Sequence, residues 1–301
     1  MSSLLILVSV LAFACNGFGT RLFQTRFANV EQRLPLYQSI FCLFSMLCFW
    51  GYGRFALPSL ETLLYGIVFG IFFFLACSMS AKGNMIGSMA LTSVIMNMSL
   101  IVPLFYSVLF LKENFSLLHL VGFAFFTASV VCSAWTKGEK KKSGFLWLIV
   151  VLVGFCANGL TATIQKIYVM NSTVNQDSVF LGVAYLIASL CFLGKYLVQY
   201  FHRTHSNDLS SIEMTPFLKG GYLPKMIAVA LFAGFGSFGG NLLLGRLAPV
   251  VQAAILYPCI NGGLAICTAL ISFFFFKEKP TRQKFFSILL GCIAIVVLNL
   301  G

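Results

Sequence analysis

Ten long apolar runs divide this chain, and they constrain its fold more than any other feature of the sequence. Charged residues, prolines or asparagines separate the runs, which cover residues 4–25, 36–52, 62–81, 87–111, 116–135, 145–169, 179–201, 225–244, 250–276 and 284–300. A helix that crosses a bilayer needs about 20 apolar residues. Only 9% of the 301 residues are charged, whereas a soluble chain has about 25%. The sequence therefore predicts an all-α integral membrane protein with ten transmembrane helices, and it excludes a water-soluble fold.

The basic residues carry information about topology. The formal net charge is +12, but the cations lie in the connections between apolar runs, so we expect no nucleic-acid partner. Connections after even-numbered helices hold four cations, and those after odd-numbered helices hold sixteen. Positive residues favour the cytoplasmic side. We therefore expect a plasma membrane protein, in a bacterial inner membrane, with both termini outside and the Lys-rich linker 136–144 in the cytoplasm.

The two halves of the chain resemble each other. The segment FACNG at 13–17 matches FCANG at 155–159, and LFLKEN at 109–114 matches FFFKEK at 274–279. Because each half has an odd number of helices, the second half enters the membrane from the opposite side. The sequence thus predicts two inverted five-helix repeats, 1–135 and 145–301, joined by the linker 136–144. Inverted repeats are typical of transporters.

The order and duplication of these motifs resemble the EamA-type family of the drug/metabolite transporter superfamily. The resemblance rests on an asparagine in helix 1 with a cation five residues later, on the apolar-Lys-Glu end of helix 4, and on Gly122 nine residues after Glu113, with repetition in helices 6, 9 and 10. The chain departs from the pattern at Ser287, where a glycine is expected, and in the depths of Pro103 and Pro258. The resemblance implies transport of amino acids, metabolites, nucleobases or drugs.

Four asparagines near the middle of the predicted helices are candidates for substrate binding. They are Asn16 in helix 1, Asn97 in helix 4, Asn158 in helix 6 and Asn261 in helix 9. Polar side chains at this depth are costly, and they are kept where they line a cavity or bond a neighbouring helix. Both interpretations apply to each amide. Since repeat-built transporters bind substrate near mid-depth, we take the set as the candidate site.

Further candidates surround this set and have hydroxyl, amide or cationic side chains. They comprise Thr92, Tyr257, Gln165, Asn241, Arg21 and Lys166. The two cations either extend to the membrane interface or attract an anionic group of the substrate. Gly262 and Gly263, after Pro258, either unwind a turn of helix 9 or allow close packing, and we favour packing.

Small residues spaced four apart predict close helix contacts in two places. Gly66 and Gly70 lie on helix 3, and Gly236 and Gly240 lie on helix 8. Such pairs let neighbouring backbones approach each other. The ten cysteines form no C-x-x-C pair, and we interpret them as reduced packing residues.

No acidic residue lies at mid-depth, and all eight are near helix ends or in connections. Glu113 and Glu278 each precede a new helix, so we interpret them as caps of helix starts, with a functional acid as the alternative. The histidines also lie near helix ends. We therefore expect no catalytic pair, no metal cluster and no cofactor, and the chain is not predicted to be an enzyme.

The combined features predict a secondary transporter that exports a small polar organic solute by alternating access, through uniport or exchange. A lipid-linked flippase and a membrane scaffold without transport activity are the alternatives. We expect membrane lipid around the protein and a monomer or a dimer as its assembly.

Overall fold

Eleven α-helices make up the described part of the chain, and no strand occurs there. The computed structural model describes residues 2–27, 30–87, 89–113, 116–134, 144–205, 222–275 and 282–300. In chain order the helices are α1 (Ser2–Arg26), α2 (Val30–Tyr52), α3 (Leu60–Ile86), α4 (Met89–Met98), α5 (Ile101–Phe110), α6 (Leu117–Ala134), α7 (Phe145–Asn171), α8 (Asp177–His205), α9 (Tyr222–Leu247), α10 (Ala253–Phe274) and α11 (Arg282–Leu300).

Six of these helices, α1, α2, α3, α7, α8 and α9, are long and apolar enough to cross a membrane. Large apolar side chains stay exposed along them, including Leu64, Leu148 and Phe235. Continuous apolar exposure on long helices suits contact with lipid tails, whereas a soluble protein covers most of its surface with polar groups. The structure therefore supports the predicted all-α membrane protein.

The prediction of one continuous fourth helix over 87–111 is wrong. Two ten-residue helices, α4 and α5, occupy this stretch, and a two-residue turn at Ser99 separates them. Pro103 explains the break, because proline has no amide hydrogen and its ring collides with the carbonyl four residues earlier, which belongs to Ser99. The helix α10, in contrast, continues through Pro258.

The chain divides into two compact units, each built from segments that are distant in sequence. Unit 1 contains Met1–Leu11, Phe72–Thr173 and Gly240–Gly301, and unit 2 contains Ala12–Ile71 and Val174–Gly239. Helices α1, α3 and α9 therefore contribute residues to both units. Neither unit coincides with a predicted half, because the halves are defined by sequence repetition and the units by packing. The repeat boundaries stay a prediction.

In unit 1, glycines let α6 and α11 approach closely. A Cβ atom on Gly122 would lie 2.6 Å from Cγ of Leu298, and a Cβ atom on Gly291 would lie 3.2 Å from Oγ of Ser129. Leu298 lies seven positions after Gly291, and Ser129 lies seven positions after Gly122. Each glycine thus contacts the residue seven positions after the other glycine, so the two helices contribute equivalent residues to the contact.

The helix α7 packs against α3 in unit 1. A Cβ atom on Gly83 would lie 2.9 Å from a methyl carbon of Val151, and one on Gly154 would lie 3.1 Å from Cβ of Met79. Near the start of the chain, the Ser9 hydroxyl of α1 donates a hydrogen bond of 3.2 Å to the Gly240 carbonyl of α9. Small side chains therefore bring these helix pairs close together.

In unit 2, a reciprocal pair of hydrogen bonds joins α2 to α8. The Ser39 hydroxyl donates to the Ser189 carbonyl at 3.1 Å, and the Ser189 hydroxyl donates to the Ser39 carbonyl at 2.9 Å. Both serines are buried. Each side chain thereby satisfies a carbonyl of the opposite helix.

Three of the four positions predicted to form small-residue faces lie in unit 2, and they make close contacts. Cβ atoms on Gly66 and Gly70 would lie 2.7 Å from Val183 and 2.5 Å from the Ala184 carbonyl oxygen of α8. A Cβ atom on Gly236 would lie 2.6 Å from the Ala12 carbonyl oxygen of α1. No side chain larger than hydrogen fits at these three positions without displacing a neighbouring helix.

Candidate functional site

The turn between α4 and α5 interrupts the regular hydrogen bonding of a helix. The Ser99 amide donates to the Met96 carbonyl at 3.3 Å, and the Val102 amide donates to the Ser99 carbonyl at 3.0 Å. Both bonds span three residues instead of four. Irregular backbone at membrane depth is tolerated where it is buried in protein or lines a water-filled cavity. The turn therefore marks a candidate site.

Asn158 of α7 bonds directly to this turn. Its side-chain nitrogen donates to Oγ of Ser99 at 2.6 Å and to the Met96 carbonyl at 3.4 Å. The Ser99 hydroxyl donates to the same carbonyl at 2.7 Å. Asn158 thus links α7 to the broken helix, and its carbonyl oxygen is a further acceptor.

Asn158 is exposed although it lies on the packed side of α7. The residues Leu148, Leu152 and Cys156, spaced four apart, form an exposed stripe on this helix. Asn158 follows Cys156 by two residues, which is about 200° around a helix of 3.6 residues per turn. Thr161, one turn beyond Asn158, is buried. The amide therefore lies on the side of α7 that is turned away from this exposed stripe, toward Ser99.

Three more contacts follow Asn158 along α7, and each joins this helix to a different part of unit 1. They run from the Tyr257 hydroxyl to the Ala162 carbonyl at 3.2 Å, from Nε2 of Gln165 to the Asn241 carbonyl at 3.2 Å, and from Nζ of Lys166 to the Glu113 carboxylate. Positions 158, 162, 165 and 166 share one side of a helix. The helix α7 is therefore the central element of the site.

Glu113 binds two donors from different segments. One carboxylate oxygen accepts from Nζ of Lys166, and the other accepts from the backbone amide of Ala253, the first residue of α10, at 2.8 Å. The Lys166 side chain is 0% exposed and the Glu113 side chain is 18% exposed. Because the start of a helix carries a partial positive charge, Glu113 both caps α10 and neutralises Lys166.

The expectation that Glu113 caps the helix that directly follows it is wrong, because it caps α10. Ser116 and His119 serve the start of α6 instead: the Ser116 amide donates to Nδ1 of His119 at 3.0 Å, and the His119 amide donates to Oγ of Ser116 at 3.3 Å. This is a reciprocal arrangement like a capping box. Lys112 has a left-handed φ of 53°, so the chain turns sharply just before Glu113.

Three other predicted residues of unit 1 lie apart from the contacts of Asn158. Thr92 is fully buried and accepts a hydrogen bond of 3.0 Å from the indole nitrogen of Trp147. Nδ2 of Asn261 donates to the Tyr257 carbonyl of its own helix at 3.0 Å. Asn97 is half-buried and lies next to Met96 in α4. Of these three, Asn97 is the nearest in sequence to the turn at Ser99.

Asn16 and Arg21 lie in unit 2, while the other eight predicted site residues lie in unit 1. Both are half-buried. The Thr20 hydroxyl donates to Oδ1 of Asn16 at 3.4 Å. Glu278, its neighbour Lys277 and residues 136–143 of the Lys-rich linker lie outside the described residues.

Within the ranges that the structure describes, no three or more His, Cys, Asp and Glu side chains are grouped as a metal site. All ten cysteines are free thiols. The chemistry of the site therefore rests on amides, hydroxyls, backbone carbonyls and one ion pair. Such groups bind and orient a polar solute by hydrogen bonding.

The sequence did not predict Ser99 as a member of this site, nor the pairing of Glu113 with Lys166. Ser99 was not a candidate, although its position four residues before Pro103 is a local signal for a broken helix. The ion pair of Glu113 with Lys166 has no local signal, because 53 residues separate the partners. The pairing depends on tertiary structure, which brings the end of α5 beside α7.

No protein-family model and no curated protein matches this chain. Among solved structures, 28 chains match it. One of them, described only as "Crystal structure of protein", has a TM-score of 0.68 and 12% sequence identity, and the match covers 99% of this chain and 96% of that chain. At this identity the likeness concerns the fold alone. The fold of the whole chain is therefore shared with a protein of known structure.

Proposed function

We propose that this protein is a secondary transporter of the EamA type, with ten transmembrane helices in two inverted five-helix repeats. It exports a small polar organic solute by alternating access and binds that solute beside the turn between α4 and α5. The observation that carries the proposal is the exposed Asn158 amide, which lies on the interior side of α7 and bonds to a broken helix. Discontinuous helices form the binding sites of many repeat-built transporters.

Equivalent contacts support the inverted repeats. The contact of Ser9 with Gly240 corresponds to the contact of Val151 with Gly83. Ser9 and Val151 are 142 positions apart, as are Asn16 and Asn158, while Gly83 and Gly240 are 157 positions apart. The same two offsets apply to a second pair of contacts. Ala12 and Gly154 are 142 positions apart, and Met79 and Gly236 are 157 positions apart, so the contact of Ala12 with Gly236 corresponds to that of Gly154 with Met79. Helices α1 and α9 therefore repeat the packing of α7 and α3.

The reciprocal contacts extend this series along the chain. Ser39 and Ser189 are 150 positions apart, and Gly122 and Gly291 are 169 positions apart. A contact that is the same from both sides is the mark of two-fold symmetry. By this criterion the counterpart of Gly122 is Gly291, not position 287. The number of positions between equivalent residues rises along the chain because the connections are longer in the second half.

The chemistry of the site supports a polar organic solute. An amide, a hydroxyl and a backbone carbonyl meet at the turn within 3.4 Å of one another. Their hydrogens are used within the turn, so the Asn158 carbonyl oxygen is the acceptor that they offer to a solute with hydrogen-bond donors. The nearby positive charge of Lys166 is balanced by Glu113, so recognition at the turn depends on hydrogen bonds.

Exchange measurements in liposomes test the proposal. Purified protein is reconstituted and screened for counterflow of radiolabelled amino acids, nucleobases and a quaternary ammonium drug. For any solute that the parent protein exchanges, Asn158→Leu is expected to lower the rate about tenfold or more, equivalent to about 1.4 kcal/mol. The lipid-facing Cys156→Leu, two residues away, is the matched control and should keep the parent rate.

Equal exchange by the parent and a folded Asn158→Leu variant would contradict the proposed site. A fluorescent phospholipid in the same liposomes distinguishes the flippase alternative. Scrambling of that lipid without exchange of any solute would replace the transporter by a flippase. Neither activity in any preparation would favour a scaffold.

A further inference from the structure

A fully buried ammonium group needs an anion beside it. The Lys166 side chain is 0% exposed, and a charge buried in a membrane protein is expensive unless it is paired. Its counter-ion is the carboxylate of Glu113. This residue lies outside the helices, in the short connection after α5 between Leu111 and Ser116.

A second donor converges on the same carboxylate. The Ala253 amide, at the start of α10, donates to Oε2 of Glu113 at 2.8 Å, while Lys166 donates to Oε1. Gln252, at the N-cap position of α10, makes no side-chain cap hydrogen bond. A helix start together with a buried ammonium group is a strong attractor for an anion. Glu113 fills the role that a bound carboxylate ligand has in other proteins.

The Glu113 side chain is partly exposed, at 18%, whereas the Lys166 side chain is 0% exposed. The pair is therefore more accessible from the side of Glu113 than from that of Lys166. Tyr257 of α10 donates its hydroxyl to the Ala162 carbonyl at 3.2 Å. The Glu113 carboxylate thus accepts hydrogen bonds from two donors, Lys166 and the start of α10.

We propose that Lys166 and the amino end of α10 form a binding site for a small carboxylate anion, and that the Glu113 side chain occupies this site. Glu113 is a tethered occupant, held at high local concentration by its short connection. A free carboxylate of similar size binds when the tethered one is removed.

This site has a consequence for the choice of solute, and that consequence rests on the proposed transport function. While Glu113 occupies the site, Lys166 offers no free positive charge to an anion. Solutes that bear a carboxylate must compete with Glu113, whereas uncharged solutes do not. Glu113 is therefore a specificity-determining residue. The anion site itself does not depend on transport.

Chemical rescue tests the anion site. Thermal unfolding of purified Glu113→Ala and parent protein in detergent is followed while sodium formate or sodium acetate is added. Glu113→Ala is expected to unfold at a lower temperature than the parent. Formate should raise its midpoint in a saturable manner by roughly 3 °C or more, through binding to the folded state. The parent protein should not respond.

Two controls separate a carboxylate site from a general salt effect. Formamide is of similar size to formate but uncharged. Formamide, and sodium chloride at the same ionic strength, should raise the unfolding midpoint of Glu113→Ala less than formate does. The double variant Glu113→Ala with Lys166→Met should show no response to formate. An equal formate response in parent, single and double variants would overturn the proposal.

If Glu113→Ala yields no folded protein in any buffer, Glu113→Gln takes its place. This variant keeps an oxygen for the Ala253 amide but leaves Lys166 without a counter-ion. Adding Lys166→Met to Glu113→Gln should then raise the unfolding midpoint, and no rise would overturn the proposal. These outcomes are independent of the Asn158→Leu exchange assay, so the anion site and the transport function can fail separately.

Discussion

The stretch of α4 and α5 and the helix α10 occupy corresponding places in the two proposed repeats, yet only the first is broken. Pro258 is the sixth residue of α10, past the first turn, and the helix continues through it. Pro103 is the third residue of α5 and lies four residues after Ser99, where the helical hydrogen bonding is interrupted. A proline inside a helix removes one backbone hydrogen bond in either case. The presence of a proline alone therefore does not decide whether the helix breaks.

The amides that lie at these two regions also differ. Asn261 of α10 bonds to the Tyr257 carbonyl in its own helix. At the broken region, Asn158 reaches across from α7 to Ser99. The first amide therefore stays within one helix, whereas the second joins two helices.

The largest effect is expected for Lys166→Met, which leaves Glu113 at the start of α10 without its counter-ion. Removing one partner of a buried pair costs about 3 to 5 kcal/mol, and the partial exposure of Glu113 favours the lower value. The free energy of unfolding in detergent measures it. Lys82→Met, at an exposed position, is the control and should change stability by less than about 0.5 kcal/mol. Equal stability of the two variants would show that Lys166 does not help to hold Glu113 at the start of α10.

The next effect concerns the closeness of α7 to the broken helix. A Cβ atom on Gly159 would lie 2.5 Å from a methyl carbon of Val102 and 2.8 Å from the Ser99 carbonyl oxygen. Gly159→Ala should therefore destabilise the protein by about 2 kcal/mol through overpacking.

The matched control for Gly159 lies on the unbroken helix. At Gly262 of α10, a Cβ atom would lie 3.5 Å from Ile295, an ordinary contact. Gly262→Ala should be neutral or stabilising by up to about 1 kcal/mol, because alanine favours helix more than glycine. Thermal unfolding of both variants measures the contrast, and an equal loss at both positions would show that the two regions are packed alike.

Pro103→Ala tests the break directly. Alanine restores the amide donor and removes the ring, so α4 and α5 are expected to join through Ser99. Solute exchange should fall about tenfold, equivalent to about 1.4 kcal/mol, while the protein stays folded. Pro258→Ala should leave exchange within about twofold of the parent. Similar rates for both variants would mean that the broken backbone does not serve binding.

The smallest effect is expected for Ser99→Ala. This change removes the hydroxyl that joins Asn158 to the Met96 carbonyl and should cost about 1 kcal/mol of unfolding free energy. Thr268→Val in α10 is the comparison, since its exposed hydroxyl donates to the Leu264 carbonyl of its own helix at 2.7 Å. The loss there should be below about 0.5 kcal/mol. A larger loss at Thr268 than at Ser99 would reverse the ranking of the two regions.

The membrane class and most helices could be predicted because apolar length is a local property of the sequence. The predicted segment 145–169 corresponds to α7, which the structure extends to Asn171. The choice of Asn158 from its depth in that segment likewise needed only local information. Pro103 contained the signal for a break, but the effect falls four residues away, on a serine with no other distinguishing feature.

The rest of the site depends on contacts between distant segments. Nothing near Glu113 in sequence indicates that it caps α10, since 140 residues separate it from Ala253. The exposure of Asn158 likewise depends on which helices surround α7. Pairings of this kind follow from tertiary packing and not from a periodic pattern.

The paired serines of α2 and α8 have a consequence for how such a chain can arise. Ser39 and Ser189 each give and receive the same hydrogen bond, so the surface that holds one helix is also the surface that the other presents. A half-length ancestor with a single serine of this kind would already carry both sides of its own interface. Two copies inserted in opposite directions would associate before any gene fusion joined them.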